Sequence, residues 1–245
     1  MRGVYALGFK QRIFANLPMT LILTNDDGID APGIAALREA LDGHPTWVVA
    51  PDRHLSGCSH QMNRGGPIAI AQREERTFAI TGTPADCARV GVSYLCPDAT
   101  WVLSGINAGG NMGADIHVSG TVAAVREAAL LRVPGIAISH YIQNRRPIDW
   151  GLATRLTARV VETLMAETLP PGCFWNVNLP HLQPGDSDPE LVFCTTCTQP
   201  LPTEFKVDQG RFYYVGNYND RRHDPDSDVA VCFGGNIAVT KICLW

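Results

Sequence analysis

Four short clusters of small or oxygen-bearing side chains punctuate the chain: Asn25-Asp26-Asp27-Gly28, Ser56-Gly57-Cys58-Ser59, Ser104-Gly105-Ile106-Asn107 and Ser119-Gly120-Thr121. Asp26 and Asp27 are adjacent acids. Neighbouring side chains on a strand point to opposite faces, so the pair shares a partner only if the chain turns there. Gly28 tolerates the positive φ of such a turn. A hard cation is the most economical reason to gather two like charges. Taken alone, Asn-Asp-Asp-Gly reads equally well as a hydrophilic turn. Two carboxylates, an amide oxygen and a hydroxyl drawn from these loops, completed by water, form an all-oxygen shell suited to Mg²⁺, Mn²⁺ or Ca²⁺ rather than zinc. Ser119-Gly120-Thr121 opens a helix, where unpaired N–H groups and a partial positive charge receive phosphate. A plain N-cap is the competing reading, since Ser and Thr favour that position. His54, His60 and His117 lie in or near these loops, and none earns a role singly.

The surrounding elements must carry these clusters to one place. Leu21–Thr24 reads as a buried strand, and Pro32 with Ile34, Leu37 and Leu41 as the helix that follows it. Thr46–Pro51 is a second buried strand, PIAIAQ and RTFAITG are extended pieces, and Thr83, Pro84 and Asp86 open a helix. Thr100–Asn111 repeats the strand-then-loop pattern, and Ser119–Leu131 is a helix closed by Pro134. Gly135–Ser139 and Phe174–Pro180 read as strands flanking an amphipathic helix over Trp150–Ala166. Such alternation predicts a parallel, doubly wound sheet. The loops at the carboxyl ends of its strands share one edge, where ligands bind in open α/β sheets. HLQPGDSDPE reads as a linker. LVFCTTC, RFYYVGN, DVAVCF and NIAVTKICL then read as short strands with little helix.

Among 245 residues, 45% are hydrophobic and 18% charged, a composition with ample core for one large or two modest domains. A net charge of −4 argues against a nucleic-acid polymer as partner. No apolar run approaches the ~20 residues of a membrane span. Eight scattered cysteines suggest a reducing, cytoplasmic compartment. Cys194 and Cys197 lack the second ligand pair of a structural zinc site and read as ordinary thiols. MRGVYALGFKQRIFANLP lacks the apolar core and cleavage site of a secretory signal, so residues 1–18 read as an extension outside the core.

Together LTNDDGIDAPGI, VVAPDRHLSGCSH, GTPADCARVG and LSGINAGGNMGADIHVSGTVAAVREA closely resemble the SurE family of metal-dependent nucleoside monophosphate phosphatases. The resemblance is strong over residues 20–180 and weaker in RFYYVGNYNDRRHDPDSDVAV and NIAVT. It implies one divalent metal per subunit, Mg²⁺ or Mn²⁺, held by Asp26, Asp27, Ser56 and Asn107. It implies a phosphate pocket of Asn111, Ser119, Gly120 and Thr121. It also implies a Rossmann-like three-layer α/β sandwich spanning 19–185, a β-rich segment 186–245 that exchanges between subunits, and a homodimer or homotetramer. Two departures stand out: the extension before Met19, and VTKICLW where the family often reads VTP.

The expected reaction is hydrolysis of nucleoside 5′- or 3′-monophosphates by metal-activated water, with Asp26, Asp27, Asn111, Ser119 and Thr121 as the catalytic set. Whether either Asp acts as base stays open. An aspartyl-phosphate mechanism usually wants two Asp separated by one residue, whereas these are adjacent. A non-catalytic nucleotide- or metal-binding module is the alternative.

Overall fold

The structure, a computed structural model, describes residues 19–183 and 185–245; the extension read over residues 1–18 lies outside them. Nine strands form the main sheet in the order β3 (Ile70–Glu74), β4 (Thr77–Ile80), β2 (Thr46–Pro51), β1 (Leu21–Thr24), β5 (Trp101–Ala108), β6 (Gly135–His140), β7 (Cys173–Leu179), β11 (Ile237–Cys243) and β8 (Leu191–Phe193). The pairs from β4 through β7 are parallel, and β3–β4 and β7–β11 are antiparallel. The sheet is therefore mostly parallel, and its central strands are buried on both faces, as continuous apolar runs require.

Each face carries its own helical layer. Leu21, Leu23, Leu103 and Ile138 pack on Ile34 and Leu37 of α1 (Pro32–Ala40) and on Leu156 and Val160 of α5 (Trp150–Met165). The alternate residues Ile22, Val49, Ile80 and Val102 face Cys87 of α2 (Pro84–Val90) and Ala128 of α4 (Gly120–Leu130). Burying each such side chain contributes about 1.5–3 kcal/mol. Thr83 and Asp86 form a reciprocal capping box on α2, and Asp149 caps α5. A short turn, α3 (Asp115–Val118), leads into Ser119 and α4.

The C-terminal segment is β-rich, as expected, but differs at one of the pieces read as strands. DVAVCF forms a helix, α6 (Asp228–Phe233), rather than a strand. Ser227 caps it, and the buried Asp228 carboxylate accepts from the N–H groups of Gly113, Cys197 and Val229. Val229 and Cys232 then share the buried face at helical spacing. β8 and β11 extend the main sheet, while β9 (Phe205–Asp208) and β10 (Arg211–Tyr214) form a separate antiparallel pair. One pair of cysteines departs from what a reducing compartment suggests. Cys173 and Cys243 oppose each other in the β7–β11 register and form a disulfide. Cys194 and Cys197 are free thiols.

Candidate active site

β1 ends at Thr24 and the chain turns at once. Asn25 staples the turn: its Nδ2 donates to the Gly28 carbonyl at 2.8 Å, and its Oδ1 accepts from the Gly28 N–H at 3.2 Å. Gly28 has φ +103°, a conformation that L side chains rarely adopt. A Cβ there would also lie 3.1 Å from the Arg53 carbonyl carbon, so the loop after β2 packs directly on this turn. The Leu55 N–H donates to the Asp26 carbonyl at 2.7 Å and locks the two loops together.

The two carboxylates meet different surroundings. Asp26 is 3% exposed, and Thr121 Oγ1 donates to its Oδ1. Gly120 lies against the same side chain, because a Cβ there would sit 2.9 Å from Asp26 Cβ. Asp27 is partly buried. Its Oδ1 lies 3.2 Å from His54 Nδ1 and 3.5 Å from Ser56 Oγ, and its Oδ2 accepts from the Ala108 N–H at 3.4 Å. Burial holds the Asp26 carboxyl above the usual carboxylate range; the Thr121 hydrogen bond opposes this, and the charge of Asp27 reinforces it. Neither acid has a Lys or Arg ion pair among the described residues.

Asn107 follows on β5. Its Nδ2 donates to the Gly109 carbonyl at 2.7 Å, which leaves its Oδ1 uncommitted among the described residues. No group of three or more His, Cys, Asp or Glu that could hold a metal occurs among the described residues. The donors gathered here are instead two carboxylates, the Ser56 hydroxyl and the Asn107 amide oxygen. That set fits a hard divalent cation, since the repulsion between Asp26 and Asp27 has no Lys or Arg to offset it.

Asn111 sits on the β6–β7 side of the edge. Its N–H donates to Asn178 Oδ1 at 2.7 Å, its carbonyl accepts from Asn176 Nδ2 at 2.9 Å and Asn178 Nδ2 at 3.0 Å, and its Nδ2 donates to Ser139 Oγ at 2.7 Å. Ser119 Oγ accepts from the Val122 N–H at 3.1 Å, which makes it the N-cap of α4. Its hydroxyl proton stays available to an anion, as do the first helical N–H groups beside it. The plain-cap and anion-site readings of this segment are thus compatible.

The structure brings Asp26, Gly120 and Thr121 into direct contact and sets Asp27 against Ser56 and the Ala108 amide next to Asn107. Asn111 reaches the group only through the shared loop between β5 and α4. Several polar residues here were not singled out in the sequence. Asn176 and Asn178 alternate inside an otherwise apolar strand, a signal that two buried amides share one face. His54, weighed in the sequence without a role of its own, lies against Asp27, while Ser139 against Asn111 carried no such signal. Nor did Arg221, whose fully buried guanidinium binds Asp115 Oδ2 at 2.7 Å, Tyr218 Oη at 2.8 Å and the Met112 carbonyl at 3.2 Å. Those contacts brace the loop that carries Asn111.

Fold and site together define a Rossmann-like α/β protein in which the N-terminus of a helix is set against a paired-carboxylate loop. Residues 21–200 match the family described as survival protein SurE. The chain belongs to the SurE family. A Nostoc sp. relative, provisionally named a 5′-nucleotidase, is 56% identical over 91% of this chain and 99% of its own length. The 5′-nucleotidase SurE of Myxococcus xanthus is 39% identical over 89% of this chain and 85% of its own. The crystal structure of the SurE protein from Aquifex aeolicus superposes with a TM-score of 0.78 at 30% identity, covering 92% of this chain and 94% of that one.

Proposed function

We propose that this protein is a metal-dependent 5′-nucleotidase that hydrolyses nucleoside 5′-monophosphates, and 3′-monophosphates as well, to nucleoside and inorganic phosphate. One observation carries the reading: the first turn of α4 lies directly on the Asp26 carboxylate, with Asp27 within electrostatic reach. An anion site and a cation site so close together suit a phosphoryl group between them. The names of the relatives support the nucleotide substrate.

Asp26, Asp27, Ser56 and Asn107 would hold the cation. When bound, a Mg²⁺ or Mn²⁺ ion supplies Lewis acidity and lowers the pKa of a water molecule, making a nucleophile near neutral pH. The remaining work falls to the chain. The Ser119 hydroxyl and the free N–H groups of α4 receive the non-bridging phosphoryl oxygens and are already oriented before substrate arrives. Asn111 presents an amide fixed by Ser139 and Asn178. Thr121 holds Asp26 in place through its hydroxyl, so that the carboxylate keeps its orientation.

A homo-oligomer goes with this reading, supported by the exposed aromatic side chains Phe212 and Tyr214 on β10. Among the described residues no helix is long and apolar enough to cross a membrane.

Release of inorganic phosphate from AMP, assayed with and without added Mn²⁺ or Mg²⁺, tests the reaction. Metal-dependent turnover is the expected result. Tight AMP binding with no phosphate release under any divalent cation overturns the enzyme reading in favour of a binding module.

A further inference from the structure

The 18 residues from Asp52 to Ala69, between β2 and β3, form no helix or strand. Irregular loops longer than about 12–15 residues inside a compact domain are uncommon and usually functional. This loop carries Ser56, yet most of it lies beyond the metal-binding cluster and walls a cavity of about 410 Å³. Arg53, Leu55, Cys58, Gln61, Met62 and Arg64 line one side, and the turn from Thr81 to Asp86 closes the other.

The cavity adjoins the catalytic groups. Cys58 lines it, and the same thiol lies 3.0 Å from where a Cβ on Gly120 would stand. The loop is also tied to the helix entrance: the Ser59 N–H donates to the Val118 carbonyl at 3.1 Å, and Ser59 Oγ donates to the His117 carbonyl at 3.0 Å. A molecule with its phosphoryl group on the first turn of α4 can therefore extend past Cys58 into the cavity. A larger cavity of about 820 Å³ lies by α1, α5 and β3, but the Arg38–Glu74 ion pair lines it and no residue of the catalytic set does.

We propose that the 410 Å³ cavity binds the nucleoside half of the substrate, with its planar base between the guanidinium groups of Arg53 and Arg64 and the apolar atoms of Leu55 and Met62. This rests on the nucleotidase reaction proposed above. The volume falls within the range of small-molecule sites. Neither Arg53 nor Arg64 has an ion-pair partner among the described residues, so both guanidinium planes are free to stack. The thioether of Met62 is a polarizable surface suited to an aromatic ring. The Asp86 carboxylate also forms part of the wall. The backbone around that wall is firmly set: Asp86 accepts from the N–H groups of Asn63 at 3.1 Å and Thr83 at 3.0 Å.

The test compares kcat/KM for AMP with kcat/KM for p-nitrophenyl phosphate, in Mn²⁺, for the full-length wild type, Arg64→Ala and the Arg53→Ala/Arg64→Ala double variant. The ratio of nucleotide to aryl phosphate should fall about tenfold in the double variant. Calorimetric titration with adenosine, which carries no phosphate, should show the same loss without depending on turnover. Both side chains are exposed, so folding is not at stake. An unchanged ratio and unchanged adenosine affinity overturn the cavity assignment while leaving the nucleotidase standing. A wild type that cleaves the aryl ester and shows no preference for AMP overturns the nucleotide reading itself.

Discussion

The hydroxyl of Thr121 donates to the carboxylate of Asp26, joining the first turn of α4 to the end of β1 across 95 residues of sequence. Both groups are buried, so the bond cannot be replaced by water without opening the site. Thr121→Val keeps the shape and removes the donor. We expect kcat/KM for AMP to fall by about a hundredfold, as when a positioned donor is lost elsewhere. The variant should also push the Asp26 carboxyl further up, because the Thr121 bond opposes the effect of burial. Wild-type kinetics in a folded Thr121→Val protein would remove Thr121 from the catalytic set.

Asp27→Asn separates a cation site from a surface turn. A ligand that binds only the folded state stabilises it by roughly 2.7 kcal/mol at a hundredfold excess over Kd. Mn²⁺ should therefore raise the melting temperature of the wild type. Asp27→Asn should lose most of that shift, since an amide is a poorer ligand for a hard cation, and should melt slightly higher than wild type without metal. The raised pKa of Asp26 gives a pH signature too. Folded protein holds its Asp26 proton more tightly than unfolded protein, so metal-free stability declines as pH rises from the ordinary carboxylate value through the raised one. Melting curves with and without Mn²⁺ decide the matter, and equal metal-induced shifts in both proteins would contradict the site.

His140 provides an acid-side prediction away from the carboxylates. Burial pushes its pKa down to about 4 from the usual 6.5, while the Tyr141 carbonyl at 2.7 Å and the neighbouring His181 fix its ring. The folded state thus binds fewer protons than the unfolded state between these values. Stability is fully present above pH 6.5 and drains away as pH falls toward 4, by about 1.4 kcal/mol per unit and roughly 3 kcal/mol in all. His140→Asn should flatten this part of the profile. Urea midpoints at pH 7 and pH 4.5 measure it, and an unaltered slope in the variant would assign the effect to other groups.

Arg221 tests the brace on the loop between β5 and α4. Its side chain is fully buried and that of Asp115 is 14% exposed. Arg221→Met strands the Asp115 carboxylate, and removing one partner of a buried pair costs about 3–5 kcal/mol. Arg221→Met with Asp115→Asn should regain part of that loss, because no unpaired charge remains. Chemical denaturation of these two variants and of Asp115→Asn alone provides the comparison; additive effects would mean that the pair is not coupled.

The sequence alone determined the alternation of strands and helices through residue 180, because hydrophobic period and capping residues are local properties of the chain. Thr83 and Asp86 announce α2, and the buried runs at β1, β5 and β6 announce a parallel sheet. It also marked the Asn25–Gly28, Ser56–Ser59, Ser104–Asn107 and Ser119–Thr121 segments as candidates, since oxygen-rich loops after apolar strands stand out by composition, whereas Ser56 and Asn107 were picked out within them by the family resemblance. Only the tertiary structure decided which of these touch. That Thr121 rather than Ser119 reaches Asp26, and that Ser139 and Asn178 fix Asn111, depends on strands that are neighbours in the sheet but distant in the chain. DVAVCF became a helix for the same reason: Asp228 is satisfied by the N–H groups of Gly113 and Cys197, and no local pattern contains them. Likewise, only the return of β11 beside β7 sets Cys243 opposite Cys173. Local periodicity fixes what a segment can become, while long-range partners choose among the possibilities by satisfying its buried polar groups.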